Sequence, residues 1–189
     1  MNSDHAALCS SPEWARYIAE EVLPHALGHL SLGTEVLEIG PGYGASTAEL
    51  VESVPSLTAV EVDARLAAEL AAKFPAVSVV HGSGDRLPFA AESFSAVVCF
   101  TMLHHMQSVT AQEELFAEVR RVLRPGGVFA GADSVATPAL VEFHGDDTYV
   151  PVDPDVLPER LTACGLTDVD VHIGPDGKRI LFSARSAST

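Results

Sequence analysis

Apolar residues recur along this chain with two different periods, and the switches between them outline the elements. Trp14, Ile18 and Val22 stand four apart, the repeat of one helix face. Ser11 precedes them as a cap and Pro12 suits a first helical position, so the spacing predicts a helix from Pro12 to about Leu27, closed by Gly28 or Gly33. A short apolar run, Val36-Leu37-Glu38-Ile39, then stops at Gly40-Pro41-Gly42 and reads as a strand. Helices are predicted from about Ala45 to Val54 and from Ala64 to Phe74, with strands at Leu57–Val62 and Val77–His81 between and after them.

Residues 82–94 are rich in Gly, Pro and polar side chains and read as a loop. Ser95 to Phe100 is nearly all apolar, as in a central strand buried on both faces. Thr110 to Leu123 has a helical repeat that ends at the breaker Arg124-Pro125-Gly126-Gly127, and Val128 to Ala132 forms a fifth strand. From Ser134 to Pro154 the pattern weakens, and an irregular, lid-like insertion is expected. A short helix from about Pro154 to Cys164, capped by Asp153, precedes two strands, Val169–Ile173 and Arg179–Ser183. The turn Gly174-Pro175-Asp176-Gly177 is short enough to pair them antiparallel. Strands alternating with helices imply an α/β fold with a mainly parallel sheet.

The chain has 189 residues, enough for one ordinary domain with its own core. Residues 1–33 are expected as a helical segment covering the active site and 34–189 as the body of that domain. Cys9, Cys99 and Cys164 are scattered and share no ligand spacing with the histidines, so neither a disulfide framework nor a zinc site is expected. The opening MNSDHAALCSSPEW lacks a basic leader, and no run of 18 apolar residues exists, so a cytoplasmic protein with no membrane partner is expected. The net charge of −15, from 26 acidic and 11 basic residues, repels phosphate backbones and argues against a nucleic-acid partner.

The chemistry gathers at Glu38-Ile39-Gly40-Pro41-Gly42-Tyr43-Gly44, between a strand and a helix. Glycines allow a tight turn and close approach of a ligand, and the following helix aims free N–H groups over it. Glu61 ends the second strand, 21 residues after Gly40 (61 − 40), where a carboxylate can accept bonds from both hydroxyls of a ribose. Asp85 follows the third strand. Loops after successive strands gather at one sheet edge, so Gly40, Glu61 and Asp85 should border one crevice. Taken alone the glycines also fit a dinucleotide fingerprint, Gly40-x-Gly42-x-x-Ala45.

Together, VLEIGPGYG (36–44), AVEVD (59–63), GSGDRLPFAAESF (82–94), VVCFTMLHHM (97–106) and EVRRVLRPGG (118–127) resemble the class I, Rossmann-like S-adenosylmethionine-dependent methyltransferases of the small-molecule, type-11-like kind. The resemblance covers about residues 30 to 135, and the final hairpin suits it. It implies a three-layer sandwich around a seven-stranded sheet whose last strand is antiparallel. It also implies cofactor roles: Gly40, Gly42 and Gly44 under the methionine part of S-adenosylmethionine, Glu38 near its ammonium group, Glu61 on the ribose, Val62 on the adenine, and Asp85 and Arg86 near the adenine amino edge. Where this family often has Asp after Phe, the chain has Phe94-Ser95, a departure that weakens an expected structural hydrogen bond.

His104 and His105 follow the fourth strand, where a methyl acceptor would approach, and either is a candidate general base. Trp14, Tyr17, Phe143 and Tyr149 are candidate walls of a small-molecule acceptor pocket. His144-Gly145-Asp146-Asp147 has too few spaced ligands for a metal, and none is expected. Three other readings stay open. EIGPGYGAST and AVEVDARL also look like the opening of ribosomal RNA adenine methyltransferases, although Thr101-Met102-Leu103 stands where that family carries an Asn/Asp-Pro-Pro/Leu-Pro-Tyr signature. An NAD(P)-dependent oxidoreductase and a non-catalytic S-adenosylmethionine-binding module are the others.

Overall fold

The computed structural model describes residues 2–145 and 147–188. Seven strands make one sheet: β1 (Glu35–Ile39), β2 (Ser56–Glu61), β3 (Ser78–His81), β4 (Phe94–Phe100), β5 (Leu123–Ser134), β6 (Leu166–Ile173) and β7 (Arg179–Ser186). Their order across the sheet is β3-β2-β1-β4-β5-β7-β6, with β7 antiparallel to both neighbours and the other pairs parallel. The chain winds outward from β1 to β3, then restarts on the other side of β1 with β4. That reversal opens a crevice beyond the carboxyl ends of β1 and β4.

Alternate side chains of each central strand feed opposite cores. Val36 and, on β4, Ala96, Val98 and Phe100 pack with Ile18, Val22 and Leu23 of the N-terminal helices and Leu50 and Leu70 of two others. Leu37, Ile39, Val97 and Cys99 pack on the other face against Leu115, Phe116, Leu157 and Leu161. Burial on both faces explains why these strands read as apolar runs rather than alternating ones. Glu38 is the polar interruption in β1, 1 % exposed.

The helix expected over residues 12–27 is present in three parts: α2 (Pro12–Tyr17), a π-helical turn (Ile18–Val22) and α3 (Leu23–Leu27). Ser11 Oγ accepts the Trp14 N–H, as its position suggests. Pro24 lacks an N–H and its ring crowds the preceding turn, and the widened turn just before it accommodates both problems. Helices α4 (Ala45–Ser53), α5 (Ala64–Lys73), α6 (Val109–Val122) and α8 (Leu157–Ala163) match predicted ones within a few residues. α8 starts later than expected. Val156 takes the cap position, while Asp153 accepts the Leu157 N–H through its backbone carbonyl and the Asp155 N–H through its side chain.

Within the N-terminal segment expected to be helical, residues 3–9 form α1 (Ser3–Cys9), capped by the Asn2 side chain on the His5 N–H. Two expectations are corrected. First, the insertion is not wholly irregular: α7 (Pro138–His144) lies in it, with Thr137 Oγ1 accepting the Leu140 N–H. Second, Arg124-Pro125-Gly126-Gly127 does not separate α6 from its strand. β5 begins at Leu123, and the four residues form a bulge between the pairs Phe94–Leu123 and Ala96–Val128. Pro125 cannot donate to a ladder and Gly126 sits at φ +73°, so the segment buckles without ending the strand. The serine at the family departure is well used. Ser95 Oγ accepts the Glu35 N–H at 3.0 Å and lies 2.7 Å from Leu32 O, tying the entry of β1 to β4.

Candidate active site

The turn after β1 follows from its glycines. Gly42 has φ +56°, and a Cβ built there would meet nothing within 4 Å, so the turn faces open space. Gly44 is the residue before α4, at φ +79°, and a Cβ on it would collide at 2.7 Å with Leu70 of α5 and with Phe74 just beyond that helix. The backbone therefore passes close over α5 and leaves the N-terminal turn of α4 pointing into the crevice.

Glu61, at the end of β2, is fixed by that turn. Its Oε2 accepts the Gly42 N–H at 3.0 Å and its Oε1 accepts the Asp63 N–H at 2.9 Å. The side chain is 5 % exposed. A carboxylate has about four acceptor positions, so each oxygen keeps one lone pair for a ligand.

A cavity of about 400 Å³ opens here, within the usual range for small-molecule sites. Gly40, Gly42, Glu61, Val62 and Asp85 line it together, and Trp14 and His105 line it as well. Val62 is 66 % exposed, an apolar side chain held out over the opening. The wall carries the carboxylates of Glu61, Asp63, Asp85 and Asp147. No Lys or Arg stands among its described lining residues.

The remaining expected site residues lie off that wall. Glu38 is buried behind it, accepting hydrogen bonds from Ser46 Oγ and from Thr47 Oγ1 at 2.7 Å in the first turn of α4. Burial, only partly offset by those hydroxyls, pushes its carboxyl up to about 7. Gly44 lies under the turn, and Arg86 is exposed outside the cavity. His104 is turned away into the core. Its Nδ1 is 2.6 Å from Asp133 Oδ1, a carboxylate that is itself wholly buried and also accepts the Leu103 and Ser134 N–H groups at 3.0 and 2.7 Å. Burial works against the charged imidazole, but the Asp133 carboxylate outweighs it and holds His104 above its ordinary value. Tyr17 reaches the β6–β7 turn instead, with its hydroxyl 3.4 Å from Asp176 Oδ2 and the Arg179 guanidinium 5.0 Å over its ring. Phe143 packs on His5 and Tyr149 stacks on His144, both beside the cavity rather than in its wall.

Several lining residues were not singled out in the sequence. His5 and Cys9 come from α1, and Thr101, Met102 and Gln107 come from the turn after β4. Thr101 has φ +51°, a left-handed conformation costly for a β-branched residue, and its N–H donates to Ala132 O at 2.7 Å. Strain at a cavity wall is a structural signal that no sequence pattern carries. Ser46 was legible in principle, since it opens the helix after the glycine turn.

A family model described as a methyltransferase domain matches residues 37–131, half of the chain. A Mycolicibacterium smegmatis protein described as a probable S-adenosylmethionine-dependent methyltransferase is 33 % identical over 79 % of this chain. The chain spans only 54 % of that relative's length. The ribosomal RNA small subunit methyltransferase A of Laribacter hongkongensis is 47 % identical, but over only 30 % of this chain and 22 % of its own. The structure of Haemonchus contortus phosphoethanolamine N-methyltransferase 2 with S-adenosyl-L-methionine superposes at a TM-score of 0.72, with 15 % identity over 93 % of this chain and 53 % of that one. With the sheet order, the glycine turn and the matched segment in agreement, the chain belongs to the methyltransferase domain family of Rossmann-like, S-adenosylmethionine-dependent enzymes.

Proposed function

We propose that this chain transfers a methyl group from S-adenosylmethionine to a small-molecule acceptor. One observation carries the reading: Glu61 is locked by two backbone N–H groups beside a glycine turn, in a cavity lined also by Asp63 and Asp85 and by no described Lys or Arg. Such a field suits a ligand with a sulfonium and an ammonium against one carboxylate. It is a poor setting for the pyrophosphate of a dinucleotide, which the oxidoreductase reading needs.

When bound, S-adenosylmethionine supplies a methyl group on a positively charged sulfur that is a good leaving group. The residues do the rest by holding and aligning. The free lone pairs of Glu61 would take the ribose hydroxyls, Val62 would cover the adenine, and Asp85 would accept from its amino edge. Gly40 and Gly42 would let the methionine part approach the backbone. Glu38 acts one step behind, holding the Ser46 and Thr47 hydroxyls of the first turn of α4. The acceptor would enter beside Trp14 and His105, which line the same cavity. His105, rather than the Asp133-bound His104, faces the transfer.

The test is calorimetric titration with S-adenosylmethionine and S-adenosylhomocysteine, followed by transfer of labelled methyl to a panel of small hydroxyl, amine and thiol acceptors and to ribosomal RNA. Binding with transfer to a small molecule is expected. Absence of binding at millimolar ligand overturns the reading. Transfer to RNA alone would replace its acceptor class, and binding without transfer to anything would leave a cofactor-binding module.

A further inference from the structure

Four histidines meet beside the acceptor end of the cavity: His5 on α1, His104 and His105 on the 3-10 turn after β4 (Leu103–His105), and His144 at the end of α7. The proposed transfer uses at most one of them. His5, His105 and His144 each offer a ring nitrogen, and these three atoms all lie within 4.8 Å of one another. We propose that His5, His105 and His144 form a binding site for a divalent transition-metal ion of the zinc type, with open coordination positions toward the acceptor end of the cavity.

The rings are set up for ligation. His144 Nδ1 is 2.6 Å from Leu140 O, so it carries the proton and leaves Nε2 with its lone pair. That Nε2 is buried and has no hydrogen-bond partner. His105 Nδ1 faces Thr148 O at 3.4 Å, which leaves its Nε2 bare in the same way. His5 Nδ1 faces the Asp147 carboxylate at 3.5 Å, which leaves its Nε2 as the atom turned to an ion. Buried polar atoms without partners are uncommon in folded proteins, and a bound ion is one of their ordinary explanations. Backbone carbonyls behind two rings and a carboxylate beside the third form the outer layer that orients histidine ligands.

The rings also pack on one another, with His5 4.8 Å from His105 and from His144 between centroids. Tetrahedral bonds of about 2.0–2.1 Å would bring the nitrogens to about 3.4 Å apart, a closure of at most roughly 1.4 Å. Asn2 pre-positions two of the three elements. Its side chain caps α1 at His5 and donates to Phe143 O and His144 O at 2.9 and 3.1 Å, clamping α1 to the end of α7.

Three imidazoles leave one or two positions on the ion open, and His5, His105, Asp147 and Thr148 line the cavity at that point. An acceptor with an acidic hydroxyl or a thiol can occupy such a position. That use rests on the methyl-transfer reading above, whereas ion binding does not.

The test is titration of the untagged, chelator-treated chain with Co²⁺, followed by visible absorption, and with Zn²⁺ by calorimetry. Both are done without S-adenosylmethionine, so failure of the cofactor reading leaves them intact. One ion per chain is expected, with the visible bands of a low-coordinate cobalt site. His5→Ala and His105→Gln should each weaken binding at least about tenfold. His144→Ala should do the same, and circular dichroism shows whether each variant keeps its fold. The exposed His172→Ala variant should bind like the parent. No ion at millimolar metal overturns the proposal, as does binding that survives the folded His5→Ala and His105→Gln variants.

Discussion

Replacing Glu61 with Gln tests the cofactor reading with one atom changed. In the parent both carboxylate oxygens hold a backbone N–H, at 3.0 Å from Gly42 and 2.9 Å from Asp63, and each keeps one acceptor position for a ribose hydroxyl. Glutamine keeps one such oxygen, now uncharged, and places an NH₂ group against one of the two N–H donors. A hydrogen bond to a charged group contributes about 1.5–3 kcal/mol, and a neutral one about half that. One ribose bond is lost and the other is weakened, so affinity should fall by about 3 kcal/mol, or about a hundredfold in Kd. The orphaned N–H is present in free and bound protein alike. It should lower stability by about 1–2 kcal/mol, or roughly 2–4 °C in Tm for each kcal/mol, without entering the affinity. Calorimetry with S-adenosylhomocysteine well below Tm separates the two effects. A Glu61→Gln protein that melts normally and binds within about threefold of the parent would refute the reasoning, because a carboxylate grasping two hydroxyls cannot be so replaced.

Three further outcomes follow from the packing. Gly131 lies in β5 where a Cβ would come within 2.0 Å of the Cys99 carbonyl oxygen, so Gly131→Ala should cost more than about 3 kcal/mol in urea unfolding or prevent folding. Gly177→Ala, at φ +69° but in open space, should cost only about 1 kcal/mol, and equal losses would refute the steric account. The folded Glu38 carboxyl is raised to about 7 from the ordinary 4.5, so between those values the folded state binds more protons than the unfolded one. Stability of the cofactor-free chain should therefore fall, by about 3 kcal/mol in all, as pH rises from about 4.5 to about 7, and Glu38→Gln should flatten that slope. Asp133→Ala strips the partner from His104 Nδ1 and from the Leu103 and Ser134 N–H groups, and should cost about 3–5 kcal/mol in urea unfolding. Asp133→Asn, which keeps one acceptor oxygen, should cost less, and a loss under about 1 kcal/mol for the Ala variant would mean that the network holds little.

Local pattern sufficed wherever a residue's environment was set by its near neighbours in the chain. The apolar runs at 36–39 and 95–100, the four-residue repeat after Ser11 and the glycine turn at 40–44 determined the strands, the helices and the loop between them within a few residues. The place of Glu61 beside the glycine turn was legible because one helix and one strand lead to it from Gly40, and that length fixes the distance. Even the missed helix α7 had left a signal, since Thr137-Pro138 repeats the cap-and-proline pair of Ser11-Pro12.

What the sequence could not decide is which way a side chain faces and what comes to meet it from far along the chain. His104 and His105 are adjacent, yet one is held in the core by Asp133, 29 residues on, and the other lines the cavity. His5 and His144 are separated by 139 residues (144 − 5), and only the packing of α1 against α7 sets their rings 4.8 Å apart. Periodicity reports one element's own face. The partner of that face depends on the sum of many weak contacts across the folded chain, and no short stretch of sequence contains that sum.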